Sequence, residues 1–293
     1  MVVDRRPMAA TVIVPAYNEQ ESIGRVLDQI EEVMAGSGLT YQLLVVDDGS
    51  TDRTVEIAQS KGIDVIRHPT NRGYGAALKA GIRRARHDTI VITDADGTYP
   101  NEEIPRIVRL MSDYDMVVGA RTGGEVHIPL VRRPAKWFIN TMANYFARTR
   151  IPDLNSGLRA FRKELALRFY PVLPDGFSFT TTITLAMLAN GYLVRYVPIS
   201  YHRRVGSSKI RPIHDTLNFA LLIVRTTVYY APLRVFLPLS GVLLLAGVAI
   251  GLYSFLALRR LMDVTTVVLV LASLQIAAAG LLADMVDKRT PRF

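Results

Sequence analysis

The chain has 293 residues, a formal charge of +9, a pI near 9.8 and no cysteine. The missing thiols exclude disulfides, thiolate metal sites and cysteine nucleophiles. The length allows one large domain or a domain with an appendage, and the basic balance suits nucleic acid, anionic lipid or phosphorylated substrates without choosing among them.

The N-terminus does not read as a secretory signal, because the apolar stretch 11–14 is short and runs into Pro15, Asn18 and Glu19. From there to about residue 120 short apolar runs alternate with helical patterns. Residues 11–14, 41–46, 63–66, 89–93 and 116–119 are rich in branched residues and read as strands. Between the first two, Ile23, Val26, Leu27, Ile30, Val33 and Met34 recur at helical spacing and give one buried face. Asp52 is placed to cap the next helix and Gly62 to follow its end. Gly73-Tyr-Gly75 opens a helix that carries Lys79. The two glycines suit either a backbone approach by a diphosphate or tight packing of the helix start.

Such alternation predicts an α/β fold with a mostly parallel sheet covered by helices on both faces. Ligands bind these sheets beyond the carboxyl ends of the strands, at a topological switch point. Four strand ends carry polar groups: Pro15-Ala-Tyr-Asn-Glu19, Asp47-Asp48-Gly-Ser, Asp94-Ala-Asp96 and Gly119-Ala-Arg121. An acidic residue after a strand usually caps the next helix, but four such ends in one sheet predict a single polar crevice.

The C-terminal part differs. Residues 235–258 and 264–283 carry no charge, and each run is long enough to cross a bilayer as a helix. The five residues between them, Arg259-Arg-Leu-Met-Asp263, predict a hairpin. Basic residues on the domain side (Arg225, Arg234, Lys288, Arg289 and Arg292) outnumber Arg259 and Arg260 in the turn, which favours a cytoplasmic front end. Residues 132–150 and 214–236 combine apolar and aromatic residues with flanking cations, as helices in the headgroup layer do. The expected division is 1–212 for the α/β domain, 213–234 for an interfacial helix and 235–293 for the transmembrane hairpin.

The sequence "TDADGTYP" (93–100) admits two chemistries. A haloacid-dehalogenase-type phosphohydrolase carries Asp-x-Asp-Gly-Thr on its first core strand, whereas here the motif follows the fourth. No convincing downstream acidic pair follows a strand, and the stretches "VPAYNEQESI" and "VVDDGSTDRT" are left unexplained. Those stretches, with "DADGTYP", "DLNSGLRAF" (153–161) and "RVGSSK" (204–209), resemble glycosyltransferase family 2. Within that family the chain is most similar to the polyprenyl-phosphate sugar synthases of the dolichyl-phosphate mannose synthase kind, over about residues 11–215.

The resemblance implies a GT-A-like, Rossmann-like catalytic domain and an inverting glycosyltransferase. Its donor would be a nucleotide-sugar, with a UDP-hexose or UDP-N-acetylhexosamine preferred and GDP-mannose left open. Its acceptor would be the phosphate of a polyprenyl phosphate, with membrane lipid as surroundings and no nucleic acid as partner. It implies that Asp96 holds Mg²⁺ or Mn²⁺ directly, with Asp94 assisting or contacting the ribose, and that Pro15, Ala16, Tyr17, Glu19 and Asp48, with Asp47 more loosely, hold the base and ribose. Arg121, Arg132, Arg133, Arg204, Ser208 and Lys209 become the acceptor-phosphate cradle, and Asp153 an acidic group near the reacting centre. Many relatives read Asp-Ala-Asp-Leu-Gln-His-Pro where this chain has Gly97, Thr98 and Tyr99, so donor identity does not carry over. Processive polysaccharide synthases share the donor machinery but usually add a Gln-x-x-Arg-Trp motif, which does not surround Trp137. A non-catalytic membrane scaffold is disfavoured by the presence of both acidic motifs and the basic one. A two-span anchor also leaves room for self-association.

Overall fold

The computed structural model describes residues 8–122, 141–146, 149–201, 212–259 and 264–289. The chain divides into two compact units, Met1–Phe219 and Ala220–Phe293.

The first unit is built on a seven-stranded sheet of order β3-β2-β1-β4-β6-β5-β7. All five expected strands are present: β1 (Ala9–Ala16), β2 (Thr40–Asp47), β3 (Asp64–Arg67), β4 (Thr89–Ile92) and β5 (Met116–Ala120). Two further strands, β6 (Arg159–Arg162) and β7 (Val194–Pro198), were not legible as such. β6 is antiparallel to both β4 and β5, and the remaining pairs are parallel. From β1 the chain adds β2 and β3 on one side and then returns to add β4 on the other. That reversal at β1/β4 is the switch point where a crevice opens above the strand ends.

β1 is buried along nearly its whole length, so its alternate side chains serve opposite faces. On one face Val12 and Val14 join Ile23, Val26, Leu27, Ile30 and Met34 of α1 (Ile23–Ala35) in the main core. Val33, expected on this face, is only half-buried. On the other face Ile13 meets α3 (Tyr74–Arg84), where a Cβ on Gly81 would lie 2.7 Å from Ile13 Cγ2. Between them α2 (Thr54–Ser60) follows Asp52, whose Oδ1 accepts the Thr54 N–H at 3.0 Å, and Gly62 takes a φ of +73° just beyond it. The helices α4 (Ile104–Leu110), α5 (Lys163–Arg168) and α6 (Phe179–Ala189) complete the unit, and α7 (Pro212–Tyr230) straddles the division.

The second unit pairs α8 (Leu233–Leu258) with α9 (Val264–Arg289). Small residues bring the two backbones together. A Cβ on Gly280 would lie 2.5 Å from Phe236 Cβ, one on Gly251 would lie 2.9 Å from Thr266 Cγ2, and Ser240 Oγ donates to the Ser273 carbonyl at 2.8 Å. Small-residue contact of this kind is how helices associate where lipid supplies no hydrophobic drive. Their outer faces are apolar and uncovered, with Leu245, Leu256 and Val264 at 70%, 74% and 76% exposure. Both helices are long and apolar enough to cross a membrane, and neither is a buried core helix.

Gly81→Leu should destabilise the first unit by about 2 kcal/mol or more, because an added side chain collides with Ile13 and Val46 in a close-packed core. A drop in the thermal midpoint in detergent checks this; an unchanged midpoint would show that α3 can shift outward.

Candidate active site

The strand ends at the switch point are tied together by their own polar groups. Asn18, in the left-handed region at φ +53°, donates its N–H to the Ser50 hydroxyl and accepts the Thr51 N–H on its side-chain oxygen, both at 2.9 Å. The Glu19 N–H donates to Thr54 Oγ1, and that of Gln20 to Asp52. Pro15 and Ala16 are buried at the end of β1, while Tyr17 is half-exposed just past it. The expected donor-side stretch after β1 is therefore fastened to the loop after β2.

Asp47 and Asp48 are both buried and organise this region. Asp47 accepts the Ser50 N–H on both oxygens at 3.2 Å and faces Arg67 Nε at 3.5 Å. Asp48 accepts the Arg72 and Gly73 N–H groups at 2.9 and 2.7 Å, and its Oδ1 lies 2.7 Å from His68 Nδ1. Asp48 thus fixes the turn that starts α3. His68 follows β3 directly, and reading that strand end as the other four were read would have found it.

At the start of α3 the glycines meet protein. A Cβ on Gly73 would lie 2.5 Å from the Asp175 carbonyl oxygen, and one on Gly75 would collide with that of Pro174. The packing alternative thus accounts for both. Tyr74, between them, donates its hydroxyl to Asp94 Oδ1 at 3.0 Å. On its other side Asp94 meets Gly157, where a Cβ would lie 2.8 Å from Oδ2. Burial and the Asp94 charge together push the Tyr74 hydroxyl well above its ordinary range, so it stays a donor. Asp96 is buried, and its Oδ1 accepts both the N–H and the hydroxyl of Thr98, at 3.1 and 2.7 Å.

The chain of contacts continues from Asp94 to the far strands. Gly157 donates its N–H to the Tyr99 hydroxyl at 2.6 Å, and Tyr99 packs edge-on against Tyr201. The Arg121 guanidinium lies 5.3 Å from the Tyr201 ring centroid and grips Asp153 in a bidentate pair, Nε to Oδ2 at 2.7 Å and Nη2 to Oδ1 at 2.9 Å. Asp94 and the Arg121–Asp153 pair are therefore linked through Gly157, Tyr99 and Tyr201. Burial pushes the Asp153 carboxyl up, but the hydrogen bonds and charge of Arg121 outweigh it and hold the group below its usual value.

Beneath this arc lies Arg159, with no exposed surface. Its guanidinium donates to the carbonyls of Ser156, Thr180 and Leu154 and to Thr184 Oγ1. Desolvation lowers it from its usual value, partly countered by Tyr74, Tyr196 and Asp153. It lies inside "DLNSGLRAF", which drew attention through Asp153 alone. Tyr74 and Tyr201 carried no signal of their own. Arg132, Arg133, Arg204, Ser208 and Lys209 fall outside the described residues, as does most of 132–150.

Arg121→Met should cost about 3 kcal/mol at neutral pH by leaving the Asp153 carboxylate buried without its partner. A carboxyl depressed by folding stabilises above its unfolded value, about 4, and loses that contribution as pH falls through the folded value. The gap between wild type and variant should therefore be widest near pH 7 and narrow on acidification. Denaturant titrations in detergent at pH 7 and pH 4 test this, and an equal gap at both would assign the loss to packing.

The sequence profile described as "Glycosyl transferase family 2" matches residues 11–168, and that described as "GtrB C-terminal hairpin" matches residues 231–288. A dolichyl-phosphate hexose transferase of Haloferax volcanii is 35% identical over 203 residues, covering 69% of this chain and 86% of the relative. An undecaprenyl-phosphate 4-deoxy-4-formamido-L-arabinose transferase of Pseudomonas paraeruginosa is 30% identical over 267 residues, covering 83% and 72%. Among solved structures, glucosyl-3-phosphoglycerate synthase of Mycobacterium tuberculosis, crystallised with Mn²⁺, UDP and its product, superposes with a TM-score of 0.57 at 21% identity, covering 75% of this chain and 78% of that one. That likeness is one of fold, and it agrees with the GT-A-like sheet described above. The profile covers more than half of the chain, including β1 to β6 and the Asp94–Asp96 loop, so the protein belongs to glycosyltransferase family 2.

Proposed function

We propose that this glycosyltransferase moves a sugar from a nucleoside diphosphate to the phosphate of a polyprenyl lipid. The observation that carries this is the pairing, in one chain, of the Asp94–Asp96 loop at the β1/β4 switch with an uncovered apolar hairpin of bilayer length. Relatives named for dolichyl- and undecaprenyl-phosphate substrates support the same acceptor class.

On this reading Pro15, Ala16, Tyr17, Glu19, Asp47 and Asp48 form the base and ribose end. Asp47 and Asp48 act there mainly by fixing the loops, since their oxygens already hold Ser50, His68, Arg72 and Gly73. Asp96 and Asp94 supply oxygen ligands only, and among the described residues no cluster of three metal-binding side chains exists. That fits Mg²⁺ or Mn²⁺, which keep one or two carboxylates and complete their shell with phosphate and water. Held there, such an ion would supply charge neutralisation for the donor diphosphate. Thr98 holds the Asp96 carboxylate in a fixed orientation, while Tyr74 holds that of Asp94 in the space that Gly157 leaves open.

A lipid phosphate is anionic at neutral pH and needs positioning more than deprotonation. Asp153, held ionised by Arg121, acts by orienting that guanidinium for an acceptor phosphate. Arg132, Arg133, Arg204, Ser208 and Lys209 are proposed to complete this cradle. Attack on an α-linked donor inverts the sugar to a β-linked lipid phosphate. A UDP-hexose or UDP-N-acetylhexosamine is the preferred donor. The basic residues flanking the hairpin favour a cytoplasmic catalytic unit.

Purified protein in detergent or liposomes, given Mn²⁺ or Mg²⁺, polyprenyl phosphate and a panel of UDP- and GDP-sugars, should place label in the lipid fraction. EDTA should abolish transfer, and Asp96→Ala should lower kcat by about 10²–10³-fold, the usual worth of a group stabilising transition-state charge. Nucleotide release with no lipid product from any donor would overturn the acceptor assignment.

A further inference from the structure

We propose that the ring pair Tyr74–Phe177 is an apolar subsite for the first isoprene units of the acceptor. This rests on the lipid-phosphate acceptor proposed above.

Phe177 is 70% exposed, yet it does not sit on a loose loop tip. The Asp175 carbonyl accepts the Ala76 N–H at 3.0 Å, and the Asp175 carboxylate pairs with Lys79 Nζ at 2.7 Å. Gly73 and Gly75 lack the side chains that would push this loop away. The loop is thus anchored to the start of α3 by backbone, by charge and by the absence of two Cβ atoms. Its one large apolar side chain is then presented outward. The Phe177 ring stacks on Tyr74 with centroids 5.8 Å apart and planes 18° from parallel. The Tyr74 hydroxyl is bonded to Asp94, so the stacked pair stands one tyrosine length from the carboxylate loop.

The chemistry selects the occupant. Phenylalanine has no polar atom, and a ring that received a sugar face would gain more from the hydrogen-bonding edge of a tyrosine or tryptophan. An isoprene unit is apolar, and the first one is bonded directly to the phosphate. That phosphate has to reach the anomeric carbon beside Asp94 and Asp96, so the first isoprenes must lie against whatever apolar surface borders this loop. The stacked pair is such a surface, fixed before the lipid arrives.

The test uses the full chain in detergent with the donor found active. Phe177→Ala and Phe177→Leu are compared on polyprenyl phosphates of two isoprene units and of long-chain length. Phe177→Ala should raise the acceptor KM roughly tenfold, the worth of covering about half an aromatic side chain, and equally for both lengths. Phe177→Leu should recover much of that loss, and the donor KM should stay put. An unmoved acceptor KM overturns the subsite. A raised donor KM would assign the ring to the sugar, and a loss confined to the long acceptor would assign it to the membrane surface; either overturns it too. Wild-type protein that glycosylates no prenyl phosphate removes the acceptor assignment and the subsite together. Transfer by wild type with an unmoved KM in Phe177→Ala removes the subsite alone.

Discussion

A guanidinium with no access to water has to be satisfied entirely from within, and Arg159 is the group to which the site is fitted. Desolvating such a charge costs several kcal/mol, and here the compensation comes from carbonyls and a hydroxyl. The acceptors belong to two parts of the site's support. Leu154 and Ser156 lie in the segment that carries Asp153 and Gly157, whereas Thr180 and Thr184 lie on α6. Satisfying one buried cation therefore fixes the distance between that segment and α6. Because β6 begins at Arg159 and runs antiparallel between β4 and β5, the same residue also sets the segment against the carboxylate loop after β4. A strand inserted backwards brings its leading loop to the edge where its neighbours end.

The consequence is a site whose carboxylates are oriented before any ligand is present. Asp94 accepts a tyrosine hydroxyl and occupies space that a side chain at Gly157 would fill, and Asp96 is held by Thr98. Asp153 is held by two N–H groups of Arg121 and by the backbone N–H groups of Arg121 and Asn155. Preorganised polar groups in a partly dry cleft stabilise developing charge without reorganising at the moment of reaction.

Much of this was legible in the sequence, and the parts that were not share a cause. β1 to β5 were found because each is an apolar run bounded by polar turns. β6 and β7 were missed because they are short and read Arg-Ala-Phe-Arg and Val-Arg-Tyr-Val-Pro, where charge and proline mask the strand pattern. Asp47, Asp48, Asp94, Asp96 and Arg121 were legible because chain chemistry after a strand is local. The partners that orient them are not local. Tyr74 reaches Asp94 across twenty residues, Tyr99 reaches Gly157 across fifty-eight, and Arg159 reaches Thr184 across twenty-five. No spacing rule links such pairs; only the sheet order does.

The departure at Thr98 follows the same logic. At the position where the family pattern has a glutamine, the short Thr98 hydroxyl bonds the Asp96 carboxylate. An orienting contact of this kind would hold the carboxylate at a set angle for any cation bound there. Gly97 before it has a φ of +72°, a conformation that favours glycine and lets the loop turn tightly enough for that bond. The pair Gly97-Thr98 thus exchanges reach for rigidity at the carboxylate.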